Sequence, residues 1–193
     1  KEEPSLRNVL DTVTADTVVI VPVFTAQGYF TQTVIPSEMD LHGNITQRDG
    51  RTIIYTPTIG EHPYLQTIVQ ERVTDVLSAE NLPPEDTAIA VIGHGTRRNP
   101  TSRDATRLQA KILREKAYAS EVVDAYLDDE PYIPDIFTAT RAKNIIAVPF
   151  FLAEGSHVTI DVPDAMGLDY GDYPADIKGR TVYYTPPVGT DDA

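Results

Sequence analysis

The chain repeats itself. The segment from Val21, "VPVFTAQGYFTQTVIPSEMDL", lines up with the segment from Val148, "VPFFLAEGSHVTIDVPDAMGL", and "GRTIIYTPTIG" from Gly50 lines up with "GRTVYYTPPVG" from Gly179. The shorter pair agrees at Gly, Arg, Thr, Tyr, Thr, Pro and Gly, more than shared apolar character supplies. Self-similarity of this kind means that one structural unit is built twice. Whatever fold one copy takes must therefore also suit the other.

The runs "TVVIVPVF" (17–24), "RTIIYTP" (51–57), "AIAVIG" (88–93), "VVDAYL" (122–127), "NIIAVPFFL" (144–152) and "RTVYYTP" (180–186) read as strands. They are β-branched and nearly continuous rather than alternating, which favours a parallel sheet covered on both faces. Between them lie helical patterns. "HPYLQTIVQERVTDVLSAEN" sets Leu65, Ile68, Val69, Val73, Val76 and Leu77 on one stripe, with Pro63 suited to a first turn. "TSRDATRLQAKILREKAYAS" does the same with Leu108, Ile112 and Leu113 behind Thr101 or Ser102 as N-cap. Strand alternating with helix is an α/β architecture.

Neither copy is whole. The second opens with the "AIAVIGHG" strand and its helix, which the first lacks, and the first carries the 62–77 helix where the second stops at Ala193. The expected organisation is a degenerate unit over 1–80, a linker over 81–87 marked by the paired prolines of "SAENLPPED" (78–86), and a unit over 88–193. Each unit is incomplete, so the chain reads as part of a longer tandem polypeptide, or as a subunit whose partner supplies the rest. A start at Lys1 rather than Met agrees with the first of these.

Asp and Glu number 29 against 16 Lys and Arg, a formal net charge of -13, which disfavours nucleic-acid binding through phosphate neutralisation. No apolar run approaches the roughly 20 residues of a membrane helix, and "KEEPSLRNVL" lacks the apolar stretch of a secretion signal, so a cytoplasmic location without membrane contact is expected. There is no cysteine. Any metal must then be held by histidine and carboxylate.

Ligands of parallel sheets gather beyond the carboxyl ends of the strands. His94 in "GHG", Asp128 in "AYLDDEP" and His157 in "AEGSHVTIDVP" all fall there, with Asp129 and Glu130 as rivals to Asp128. Neutral imidazoles and a carboxylate suit a divalent first-row cation. The repeat supplies an internal control: where the second copy has Glu154, His157 and Asp161, the first has Gln27, Phe30 and Val34. A packing residue at 157 could be aromatic, as Phe30 is, so the histidine asks for a chemical reason. Arg97, Arg98, Arg103 and Arg107 follow His94 and would attract an anion that the rest of the surface repels. His42, in a polar loop, and His62, at a helix start where a cation is disfavoured, read as structural.

"IGHGT", "AYLDDEP" and "VPFFLAEGSHVTIDVP" together resemble the sirohydrochlorin chelatases of the CbiX/SirB type, small class II tetrapyrrole chelatases. The match runs through most of 88–189, and in weakened form through about 5–80. The resemblance implies two similar units, each a four-stranded parallel sheet flanked by helices, facing each other across a cleft. It implies a lyase that inserts Co2+ or Fe2+, or in related enzymes Ni2+, into sirohydrochlorin for cobalamin or siroheme biosynthesis, with no organic cofactor. The family's metal-site histidines fall on His94 and His157 as the catalytic pair. Its acidic residue, often glutamate, falls on Asp128, which is a departure. Asp161 falls on the family's "HVxxDxP" aspartate and, with Glu154, would order the loop and support the ligands.

The chemistry itself sets requirements. A tetrapyrrole accepts a metal only as two pyrrole N–H protons leave and the hydration shell is shed, so the site must hold the cation with few ligands and an open face. Metal binding needs neutral imidazoles, so activity should fall in acid. Imidazole or a nearby carboxylate can take the departing protons. Arg97 and Arg98 are candidate partners of the substrate's carboxylates. Two other readings compete: a noncatalytic metal- or tetrapyrrole-binding module of a larger chain, and a hydrolase using the adjacent Ser156 and His157. The second lacks a G-x-S-x-G elbow.

Overall fold

The computed structural model describes residues 3–190, so the expected outer limits at Lys1 and Ala193 lie outside the described residues. The first copy comprises a short 3-10 turn at Val9–Thr12, strand β1 (Thr17–Ile20), a wide turn (Phe30–Val34) running into α1 (Ile35–Glu38), and strands β2 (Ile45–Arg48) and β3 (Arg51–Tyr55). Helix α2 (Pro63–Ala79) follows. The second copy runs β4 (Thr87–Gly93), α3 (Asp104–Glu115), β5 (Glu121–Tyr126), α4 (Ile136–Ala139), β6 (Asn144–Pro149), a wide turn (His157–Asp161) into α5 (Val162–Met166), β7 (Ala175–Ile177) and β8 (Arg180–Tyr184).

The second sheet has the order β5-β4-β6-β8-β7. Its first four strands are parallel, as predicted, and β7 adds an antiparallel edge. The first sheet, β1-β3-β2, corresponds to β6-β8-β7 alone. The α/β repeat is thus present with one sheet of five strands and one of three. The predicted strand over 17–24 ends at Ile20, and His157 and Asp161, expected on a loop, open a helical stretch over 157–166. Strands β2 and β7 do not appear among the predicted runs because they are short and polar. They enter β3 and β8 through two-residue turns at Asp49-Gly50 (φ 52° and 77°) and Lys178-Gly179 (φ 53° and 77°). Left-handed backbone at both central residues matches the right-handed twist of a hairpin.

The residues that repeat do the same work twice. Arg51 Nη1 donates to the carbonyls of Leu10 (3.0 Å) and Val13 (2.8 Å). Arg180 donates to the carbonyls of their counterparts, Phe137 and Thr140. Tyr55 donates to the carbonyl of Thr31 at 2.7 Å, and Tyr184 to that of Val158 at 2.9 Å, pinning each wide turn to its sheet. Gly60 lies so close to the first copy that a Cβ would stand 1.5 Å from the Thr25 carbonyl oxygen; at Gly189 it would stand 2.0 Å from that of Leu152. No side chain fits at either place.

Helix α2 belongs to the first copy by sequence and to the second by packing. Pro63 sits at its first turn and His62 Nδ1 accepts from the Tyr64 amide at 3.2 Å, so His62 is a neutral cap. Its buried stripe, Leu65, Ile68, Val69 and Val73, packs with Ile89, Val91, Ile146, Val148 and Phe150. Each such side chain contributes about 1.5–3 kcal/mol. Ile146, Val148 and Phe150 are 0%, 0% and 1% exposed under this helix, whereas their counterparts Val19, Val21 and Val23 are 56%, 48% and 67% exposed. Among the described residues no helix is long and apolar enough to cross a membrane.

Candidate functional site

The carboxyl ends of β4, β5 and β6 bring the two candidate histidines together. His94 follows the last residue of β4, on a loop held tightly against the end of β5. Gly95 has φ 65°, and a Cβ there would stand 2.9 Å from Cβ of both Tyr126 and Asp129, so the turn requires glycine on two counts. His157 opens the wide turn after β6. The two rings lie edge to face, with centroids 4.8 Å apart and planes at 85°. Both side chains are about half exposed.

Hydrogen bonds fix the tautomer of each ring. His94 Nδ1 is 2.7 Å from the Gly95 carbonyl oxygen, which only accepts, so Nδ1 carries the proton. His157 Nδ1 is 2.6 Å from Asp161 Oδ2 and donates to that carboxylate. With Nδ1 donating, Nε2 of each ring keeps its lone pair whenever the ring is neutral. A carboxylate or carbonyl behind a ligating histidine sets its orientation and raises its basicity. Asp161 reaches back one turn, a pairing made by the local geometry of residues 157–161.

The acidic loop after β5 resolves into distinct roles. Asp128 Oδ2 is 3.7 Å from His94 Nδ1, and its amide donates to the His94 carbonyl at 2.9 Å, so it lies beside the proton-bearing nitrogen. Asp129 is buried, accepts from the Glu130 amide at 2.9 Å and faces Arg103 Nε at 3.2 Å, an ion pair without an aligned hydrogen bond at that nitrogen. Glu130 is exposed and offers its carbonyl to Arg103. Among the described residues no three histidine or acidic side chains converge as a ready metal cage.

The arginines divide in the same way. Arg103 and Arg107 are paired with Asp129 and Asp124. Arg97 and Arg98 are exposed, and Arg97 donates to the Tyr132 hydroxyl with its guanidinium 5.5 Å from that ring centroid. Glu154 accepts from the Tyr170 hydroxyl, whose pKa is pushed up to about 12, chiefly by that hydrogen bond. Of Glu154 and Asp161, it is Asp161 whose carboxylate is hydrogen-bonded to a candidate ligand.

Sequence reading missed the apolar surroundings. Between the copies lies a cavity of about 340 Å³ lined by Val23, Phe24, Phe151, Leu152, Ser156 and His157. Phe24 and Phe151 are counterparts in the repeat, a signal that was available in the alignment of the two segments. Tyr132, which carries Arg97, had no such signal.

The two unequal α/β sheets, with histidines at the strand ends of one, define a protein of the chelatase class. The chain belongs to the CbiX family, whose model matches residues 1–76 and 88–193. It is 34% identical over 213 residues to the "Probable sirohydrochlorin cobaltochelatase" of Halobacterium salinarum, a match that covers 99% of this chain and 73% of that protein. It superposes with a TM-score of 0.74 and 26% identity on a multi-domain protein of Deinococcus radiodurans described as structurally similar to chelatases, covering 98% of this chain and 41% of that one. SirB from Bacillus subtilis with Fe3+ shares the fold, with a TM-score of 0.72 and 19% identity over 97% of this chain and 72% of its own.

Proposed function

We propose that this chain inserts a divalent metal ion, Co2+ or Fe2+ with Ni2+ as a further candidate, into sirohydrochlorin or a closely related tetrapyrrole. One observation carries the reading: both imidazoles have Nδ1 occupied by a local acceptor, so both present Nε2 lone pairs from rings 4.8 Å apart. A metal about 2.0–2.1 Å from each Nε2, at the angles of a tetrahedral or octahedral ion, sets ring centroids roughly 4.5–5.2 Å apart. Family membership and the function of the Halobacterium relative agree with it.

His94 and His157 hold the incoming cation and leave its other positions to water and then to the macrocycle. As the metal moves onto the pyrrole nitrogens, each vacated Nε2 can take one of the two departing N–H protons, so charge balances across the exchange. Asp161 stabilises the resulting His157 imidazolium, and Asp128 stands beside His94 for the same purpose. Phe24 and Phe151 supply apolar contact for a flat ring, while Arg97 and Arg98 face its carboxylates. The metal is substrate, and no organic cofactor has a part in this scheme. We place the reaction in the cytoplasm, with the cleft completed by further segments of a longer polypeptide or by a second copy.

The test is turnover of sirohydrochlorin by the purified chain with each metal in turn, followed by absorbance. Activity should be present with at least one of them and fall by at least about 100-fold in both His94→Ala and His157→Ala. Metal and tetrapyrrole binding without turnover would instead mark a noncatalytic carrier.

A further inference from the structure

The first copy contains a cavity whose counterpart in the second copy is filled by tyrosines. In the second copy Tyr170 and Tyr173 stand edge-on to Tyr184, with ring centroids 6.5 Å and 5.5 Å away, and the Tyr170 hydroxyl donates to Glu154. The first-copy counterparts of Tyr184 and Glu154 are Tyr55 and Gln27. The other two rings have no equivalents, because the connection from Leu41 to Ile45 is only His42, Gly43 and Asn44, while the one from Leu168 to Ala175 runs through six residues. An open cavity of about 680 Å³ results, with Tyr55, Gln27, Gln32, Leu41, Asn44 and Thr56 on its walls.

We propose that this cavity is a second binding site, separate from the histidines, and that it takes a neutral aromatic ring bearing a hydroxyl group. Its volume lies within the range of small-molecule sites, roughly 300–1,000 Å³. No acidic or basic side chain lines it, which selects against charged ligands. Tyr55 is fixed by its bond to the Thr31 carbonyl and places its ring where Tyr184 meets Tyr170 and Tyr173 in the second copy. Gln32 Nε2 donates to Gln27 Oε1 at 3.0 Å, holding that oxygen in place with a second lone pair for a phenolic O–H. Gln27 is thus the neutral equivalent of Glu154, and the ligand's ring is the equivalent of Tyr170.

The ring could arrive on a free phenol or on a tyrosine of another polypeptide, and two probes separate these. Titration of the protein with 4-fluorophenol, read by fluorine NMR, should give a saturable shift and move the Leu41 methyl resonances; 4-fluorotoluene should bind roughly three- to tenfold more weakly for lack of the hydroxyl. N-acetyltyrosinamide binding at least as tightly as 4-fluorophenol would point to a polypeptide-borne tyrosine, and weaker binding to a small phenol. Asn44→Tyr should fill the cavity and abolish the shift with metal insertion unchanged. The proposal is overturned if neither probe saturates, if Leu41 does not respond, or if binding survives in a folded Asn44→Tyr.

Discussion

The wide turn after β1 and the one after its counterpart β6 offer two versions of one backbone. In the second copy it carries His157 and Asp161, bonded to each other; in the first it carries Phe30 and Val34 at the same places. Wide turns inside helices often mark functional sites, yet here the turn occurs in both copies and the chemistry in one. Its cause is local. Pro163 and Pro36 have no N–H to give the carbonyl four residues back, and a tyrosine from the sheet holds the carbonyl of the turn's second residue. The turn is scaffold, and two side chains make the difference.

The comparison can be broken most severely at the sheet faces. Val148→Asp places an unpaired carboxylate under α2 and should cost more than about 4 kcal/mol, unfolding the second copy, while Val21→Asp at the matching exposed place should stay within about 0.5 kcal/mol. Denaturant unfolding of both variants checks this, and equal losses would mean that the two faces are equally covered.

Giving the second copy the first copy's residue at the turn comes next. Asp161→Val should reduce metal affinity and turnover by about 10–100-fold without loss of fold, because His157 loses the acceptor that sets its tautomer. Asp161→Asn, which still accepts a hydrogen bond, should retain more of both. Calorimetric titration with Co2+ would show the order.

Arginines on the β4–α3 connection, an element only the second copy has, should matter less. The double variant Arg97→Ala, Arg98→Ala should raise KM for sirohydrochlorin a few-fold at low salt, and the difference should close near 1 M salt, where the screening length is about 3 Å. An unchanged KM at low salt would remove their role.

The smallest effect tests Glu154 against Gln27. Tyr170 should ionise at about 12, against the usual value of 10.0, and Glu154→Gln should bring it down. The folded-state pKa is raised, so the stabilisation is whole below pH 10 and is lost as pH rises through about 12. Phenolate absorbance during an alkaline titration reads the shift directly.

Much of this was legible in the chain. The six apolar runs gave the parallel strands, and the repeat made Phe30 and Val34 a control for His157 and Asp161. The edge strands were hidden because "ITQR" and "ADI" have neither apolar continuity nor length, although Asp49-Gly50 and Lys178-Gly179 carried the turn signal. The pairing of the histidines followed from the strand-end rule. The sorting of Asp128, Asp129 and Glu130 did not, since neighbouring acids are separated only by where Arg103 and the His94 loop lie in space. Nor does anything in the sequence mark Tyr170, sixteen residues away, as the partner of Glu154.

The crossing of α2 has a mechanical meaning. A protease cut within 81–87 would not free two sound halves, since residues 88–190 would keep their strands but lose the cover over Ile146, Val148 and Phe150. Residues 3–80, in turn, would be left holding an amphipathic helix with nothing to lie against. Each half is therefore hostage to the other, and mutations that loosen the first half should be felt at the loops that carry His94 and His157 through the helix they share.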